Sequence, residues 1–217
     1  GETVGIIGSV GSGKTSLLRL ILALCEPCGG SICFGGENIL DFNKTSLLEN
    51  ISYVSQKSAI FSGSVKSNLT LGSKNFDEAK LQNALKIVKL EALVAEKGLE
   101  TPILQQGKNL SGGQKQRLAL ARSILKESRI YIFDDSFSNL DFKTEAEVKN
   151  EIEQKLRGKT LIFVSQRIST IKNADKIIVL NDGKIAKIGT HDELLKSCEI
   201  YKKIADLQNG GEILNEK

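Results

Sequence analysis

Short apolar runs recur along the chain at Val4 to Ile7, Ile51 to Val54, Ile130 to Phe133, Leu161 to Val164 and Ile177 to Leu180. Each is continuous rather than alternating, which is the pattern of a strand buried on both faces. Segments of helical period lie between several of them, so the chain is expected to form a mostly parallel sheet covered on both sides by helices. Leu17, Leu18, Leu20, Ile21 and Leu24 follow the first run at helical spacing. From Phe76 to Glu96 the pattern becomes a polar-rich helix that includes Leu81, Ala84, Leu85 and Val88, with no strand expected before Ile130. This stretch reads as a helical insert on the sheet. Asn181-Asp182-Gly183-Lys184 predicts a two-residue hairpin turn and a short strand to Ile188. A last amphipathic helix is expected from near Asp192, with a loose tail after Asn209.

Composition narrows the class without naming a function. Hydrophobic residues are 40% and charged residues 26% of the 217 positions, a balance that folds into one globular unit. The net charge of +4 is spread along the chain, which gives no footprint for nucleic acid. Leu17 to Cys25 is too short to cross a bilayer and carries Arg19. There is no secretory leader pattern, so a cytosolic setting is expected. The chain starts Gly1-Glu2 rather than with methionine, and an earlier segment is expected to precede it. Cys25 and Cys28 form a C-x-x-C pair, but a second ligand pair for zinc is missing: the other cysteines are Cys33 and Cys198, and the one histidine is His191. The expectation is structural: Cys25 ending a helix, Cys28 in the turn from Glu26 to Gly30, and Cys33 packed in a strand.

Chemistry enters directly after the first apolar run. Gly8-Ser9-Val10-Gly11-Ser12-Gly13-Lys14-Thr15 matches G-x-x-x-x-G-K-[ST] at every fixed position and is followed by Ser16 at the helix start. The glycines let the backbone wrap an anion closely, and the helix N-terminus points its N–H groups at phosphates. Lys14 is then expected to reach the β and γ phosphates and the Thr15 hydroxyl to hold magnesium. A phosphate loop of this kind needs a carboxylate for the metal at the tip of a buried strand. Asp134, at the end of Ile130 to Phe133, fits.

Leu110-Ser111-Gly112-Gly113-Gln114, continued by Lys115, Gln116, Arg117 and Leu118, resembles the signature motif of ATP-binding-cassette (ABC) proteins without a mismatch. Ser111 at a helix start, with the Gly112 and Gly113 amides, is expected to make a second anion site. The resemblance extends over nearly the whole chain and implies the nucleotide-binding domain of an exporter-type (multidrug- or lipid-exporter-like) ABC transporter, N-terminally truncated. The implied fold is an α/β P-loop NTPase (RecA-like) with a mostly parallel sheet flanked by helices, an inserted α-helical subdomain and an incomplete antiparallel β subdomain. Residues 1–217 would be a single ABC ATPase domain, with 1–56 and 127–217 as nucleotide core and 57–126 as signature subdomain. Gln56 resembles the glutamine that contacts magnesium and water and relays nucleotide state to the membrane domain. Ser138-Asn139-Leu140-Asp141 resembles the loop that crosses the dimer interface, so Ser138 and Asp141 are expected there. The stretch from Ser55 to Leu69, with Phe61, Ser62 and Gly63, resembles the exporter type. The interval from Lys14 to Ser111 leaves no room for the long coiled coil of chromosome-maintenance relatives.

The resemblance implies ATP and Mg²⁺ as ligands, a second nucleotide-binding domain with which two nucleotides would be clamped head to tail, a transmembrane domain expected to be fused in the full-length chain, and a place at the cytoplasmic face of the membrane. Two positions depart from the pattern of complete members. Asp135 stands where glutamate polarises the attacking water, and Gln166 stands where the switch histidine contacts the γ phosphate. The shorter carboxylate retracts the general base, and glutamine cannot carry a proton or a charge. With the signature intact, this resembles the degenerate half of a heterodimeric exporter. Its own ATP site would be slow while its Ser111 to Gln114 motif completes the partner's site. A mainly non-hydrolytic regulatory module and a soluble ABC ATPase are the alternatives. Gln105 takes a place where exporters often have glutamate. By the resemblance, the family's adenine-stacking aromatic would be expected upstream of Gly1. His191, in a Gly-Thr-His-Asp helix start, is read as structural.

Overall fold

Ile6 and Ile7, in the apolar run from Val4, are buried on successive positions and so on both faces of their strand, which lies inside the sheet between two others. The structure, a computed structural model, describes residues 1–71 and 77–215. Strand β1 (Thr3–Gly8) leads through the phosphate loop into helix α1 (Lys14–Ile21). The two-residue strands β2 (Cys33–Phe34) and β3 (Glu37–Asn38) pair antiparallel, and α2 (Lys44–Glu49) precedes β4 (Ile51–Val54). Next come β5 (Gly63–Ser64), α3 (Val65–Thr70), α4 (Glu78–Ile87), β6 (Pro102–Ile103) and α5 (Gly112–Leu125). Then β7 (Ile130–Asp134), α6 (Phe142–Lys155), β8 (Thr160–Val164) and α7 (Ile168–Ile171) follow. The chain ends with β9 (Lys176–Asn181), β10 (Lys184–Gly189), α8 (His191–Ser197) and α9 (Glu199–Asn215).

The described strands include a six-stranded sheet in the order β10-β9-β1-β8-β7-β4. β1 runs parallel to β8 and β9, with Gly5 opposite Phe163 on one side and Ile177 on the other. β10 is antiparallel to β9 across the Asp182-Gly183 turn, and both turn residues have positive φ (47° and 75°), as the mirror-image hairpin turn requires. The expected α/β architecture, with its mostly parallel sheet, is therefore present. By contact density the chain divides into two compact units, 1–51 with 128–132 and 160–217, and 52–127 with 133–159.

In the first unit Ile6, Leu18, Leu22, Ile39, Leu47, Ile51, Ile132, Val164 and Leu180 form one buried cluster, each such side chain contributing about 1.5–3 kcal/mol by leaving water. In the second, Val65, Leu69, Leu81, Leu85, Val88, Leu118 and Leu120 are buried, and α5 packs against both α3 and α4. Among the described residues no helix is long and apolar enough to cross a membrane.

Several local expectations are corrected. α1 ends at Ile21, so Leu24 and Cys25 lie beyond it and are exposed, Leu24 at 56%. The chain turns there through Ala23 at φ 49°, a left-handed residue that stops the helical period before its apolar stripe runs out. Cys33 is exposed rather than packed, because alternate side chains of a strand face opposite ways and Phe34 takes the inward direction against Phe42. β6 lies in the stretch expected to be strand-free, being too short to show a period. Phe76, expected to open the insert helix, lies outside the described residues; Asp77 caps α4 by accepting from Ala79 N at 3.0 Å. α9 continues beyond Asn209 to Asn215, because Gly210 and Gly211 cost only about 1 kcal/mol each inside a helix and are not stop signals by themselves.

Candidate functional site

The first unit supplies the phosphate loop. Gly11 and Gly13 have φ of 83° and 101°, which other residues adopt only with strain. Gly8 is fixed by space instead: a Cβ there would stand 2.4 Å from Leu180 O and 2.5 Å from Ser12 Oγ. Gly13 is the N-cap of α1 and offers no side chain to it, and no acidic residue occupies the first turn. The positive helix end therefore faces the loop with nothing anionic of its own. Lys14 Nζ donates to Gly8 O at 2.7 Å and to Ser9 O at 2.8 Å, folding its ammonium over the loop. Val10 at the loop tip is 85% exposed. Gly183 N, from the β9–β10 turn, donates to Ser12 O at 3.2 Å and supports the loop from beneath. In the sequence the Asp182-Gly183 pair marks only a hairpin, with no sign of this contact.

Gln166 also belongs to the first unit, and its side chain is exposed. It follows Ser165, whose N–H donates to Ile6 O at 3.1 Å and whose Oγ accepts from Arg167 N at 3.0 Å. His191, by contrast, is a packing residue. Thr190 caps α8 in a capping box with Glu193, and the His191 Nδ1 lies 2.7 Å from the Tyr201 hydroxyl. Burial pushes the Tyr201 phenol up to about 12.

The second unit carries the carboxylates. Asp134 is the last residue of β7, and its Oδ2 accepts from the Tyr53 hydroxyl at 2.9 Å. Asp135 is left-handed at φ 47°, a region that aspartate tolerates better than most side chains, and its Oδ2 accepts from Gln56 Nε2 at 3.0 Å. Gln56 and Asp135, singled out separately in the sequence, are in direct contact. Tyr53, 38% exposed between the buried Ser52 and Val54 in β4, is a contact of Asp134 that the sequence does not mark.

The signature begins as expected. Ser111 caps α5: its Oγ accepts from Gln114 N at 3.1 Å, and Gln114 Oε1 accepts from Ser111 N at 2.8 Å. Because the hydroxyl oxygen is the acceptor, its proton stays available to an anion. Ser111, Gly112, Gly113, Arg117, Asn139 and Leu140 line a hollow of about 490 Å³. A Cβ on Gly113 would approach Asn139 O to 3.1 Å, which keeps this position small. Gln116, buried at 2%, ties the helix to the following loop by donating to Ser138 Oγ at 3.1 Å and accepting from Asn139 N at 2.9 Å. Ser138 Oγ donates in turn to Asp135 O at 3.0 Å. Asp141 caps α6, and the Thr144 N–H holds its carboxyl below the usual range. Gln105 is exposed in a single helical turn before the signature.

A separate groove of about 580 Å³ in the second unit runs along Ser52 to Ser55, Leu69 to Leu71 and Arg122. Arg122 donates to Asn68 O and Ala59 O and lies 5.6 Å from the Phe61 ring centre, and burial lowers its pKa. Phe61 and Leu71 are 54% and 61% exposed.

This fold, with a phosphate loop and a capped signature helix, defines a P-loop ATP-binding domain of the ABC class. A family model described as ABC transporter matches residues 1–138, and the chain belongs to that family. It is 39% identical over 212 residues to an uncharacterized ABC transporter ATP-binding protein of Mycobacterium tuberculosis (strain ATCC 25618 / H37Rv), covering 96% of this chain and 36% of that protein. It is 37% identical over 211 residues to the ATP-dependent lipid A-core flippase of Bordetella pertussis (strain Tohama I), covering 96% of this chain and 34% of that protein. The solved structure of a bacterial Atm1-family ABC exporter with ATP bound matches at a TM-score of 0.92 and 31% identity, over 96% of this chain and 37% of that one. The chain therefore spans about a third of the length of these relatives.

Proposed function

We propose that this chain binds ATP with magnesium and drives export through a membrane domain at the cytoplasmic face, that its own site turns over slowly, and that Ser111 to Gln114 close over the nucleotide of a second, non-identical ABC domain. Residues 1–56 and 127–217 would form the nucleotide core and 57–126 the signature subdomain. In this reading the Gly8 to Ser16 loop cradles the phosphates, with Lys14 on the β and γ groups. The Thr15 hydroxyl, Asp134 and Gln56 are magnesium ligands, Asp135 is the weakened general base, and Gln166 stands in for the switch histidine. Asp134 and Thr15 are oxygen donors of the type magnesium prefers. Ser138 and Asp141 face the partner domain. The groove beside Ser55 and Arg122 is the surface offered to the membrane part.

The observation that carries slow turnover is the Gln56–Asp135 hydrogen bond at 3.0 Å. The contact ties the carboxylate oxygen to the glutamine amide, and the side chain is already one methylene shorter than glutamate, so its reach toward an attacking water is reduced. The test is ATP hydrolysis by the assembled full-length pair after Asp135→Glu combined with Gln166→His. A rise of about tenfold or more at this chain's site is expected, and an unchanged rate would refute the reading. Lys14→Ala is expected to weaken ATP binding at least about tenfold, the scale of a lost charge-assisted contact.

A mainly non-hydrolytic regulatory module is the second reading, favoured by that same contact. It predicts no product in a single-turnover experiment at this site.

A further inference from the structure

The switch segment is held from outside its own strand and helix. α7 begins at Ile168, and its N-cap, Arg167, supplies no side-chain cap. The missing acceptor comes from the C-terminal helix: Gln208 Oε1 accepts from Ile168 N at 2.9 Å. The same amide donates through Nε2 to the backbone carbonyl of Gln166 at 2.6 Å. One side chain thus grips the backbone on both sides of Arg167, using the separate donor and acceptor atoms of its amide.

The rest of α9 is built to deliver that group. Tyr201 and Ala205, 0% and 4% exposed, lie at helical spacing from Gln208 and define the packed face of α9. Leu207, next in sequence, is 79% exposed and points elsewhere. Within the segment, Ser165 Oγ accepts from Arg167 N at 3.0 Å and lies 3.2 Å from Thr170 Oγ1. The turn is therefore braced locally by Ser165 and remotely by Gln208. The exposed Gln166 side chain is left on a backbone with little freedom to swing.

We propose that Gln208 is a positioning residue for the switch: α9 sets where Gln166 presents its amide, so γ-phosphate sensing depends on α9 staying docked. This rests on the reading of Gln166 given above.

The test uses the full-length protein with its partner, comparing Gln208→Ala, Gln208→Glu and Leu207→Ala. Glutamate keeps the acceptor for Ile168 N but cannot donate to the Gln166 carbonyl. Amide exchange at Ile168 is expected to quicken about five- to tenfold in Gln208→Ala, the scale of one lost hydrogen bond, and to stay unchanged in Gln208→Glu and Leu207→Ala. Single-turnover hydrolysis at this chain's site is expected to fall about five- to tenfold in both Gln208 variants, with the KM for ATP within about twofold. In a Gln166→Ala background the Gln208 substitutions are expected to add nothing, because the two act through one contact. Unchanged exchange at Ile168 in Gln208→Ala overturns the anchor. An equal further loss in the Gln166→Ala background overturns the positioning role and leaves Gln208 as packing alone. If wild type fails to bind ATP, the functional reading fails instead, and the exchange result still decides the anchor.

Discussion

Gln56 Nε2 donates to Asp135 Oδ2 at 3.0 Å while the Asp135 backbone sits at φ 47°. The hydrogen bond and the backbone favour the same residue: aspartate tolerates the left-handed region, and its short carboxylate meets the glutamine amide from there. Asp135→Gly is expected to leave stability within about 1 kcal/mol of wild type, the relief of strain offsetting the entropy of glycine. Asp135→Val, β-branched at the same φ, is expected to lose about 2 kcal/mol. Both should abolish hydrolysis at this site, so denaturant unfolding separates backbone strain from chemistry.

Gly8 is constrained from two sides by Leu180 O and Ser12 Oγ. Gly8→Ala must move the strand carbonyl or the loop, and a cost of about 3 kcal/mol is expected in urea unfolding, with loss of nucleotide binding. Gly11, whose added Cβ would meet nothing within 4 Å, is limited by its φ of 83° instead. Gly11→Ala is therefore expected to cost only about 1 kcal/mol.

Gln116 is buried at 2% and satisfies Ser138 Oγ and Asn139 N together. Gln116→Ala leaves a backbone donor without its partner and is expected to cost about 2 kcal/mol. Gln116→Glu keeps the acceptor and should recover part of that loss, read as a partial return of the unfolding midpoint.

The Tyr201 phenol, pushed up to about 12, predicts an alkaline limb. The unfolded phenol ionises near 10 and the folded one near 12, so the stabilisation is whole below about pH 10 and is lost as pH rises from there toward 12. Tyr201→Phe should flatten the stability curve in that window while costing the contact with His191 Nδ1 at lower pH. Thermal unfolding across pH 8 to 12 checks both.

The sequence was legible where one residue type has one use. Ile51 to Val54 and the Asp182-Gly183 turn came out at their observed places because a continuous apolar run and an Asp-Gly pair each admit few conformations. Gly8 and Ser111 stand where the expected loop and helix start need them, since a Cβ at Gly8 has no room and the Ser111 hydroxyl caps α5. Cys33 misled because a two-residue strand carries no period to say which way it faces. Tyr53, Gln116 and Gln208 were not readable as partners: each meets its acceptor or donor far along the chain, and a tyrosine or glutamine in sequence looks like any surface residue.

Gly183 N–H on Ser12 O gives the β9–β10 tip a meaning beyond turning the chain. Exposed hairpin tips are the usual places to graft a tag, a fluorophore or a crosslinker. Here such a graft would pull on the underside of the phosphate loop. Labelling work on this protein should choose the exposed Cys25 or Cys28 instead, and an unexplained loss of nucleotide affinity in any variant near Asp182 should be traced to Ser12 before anything else.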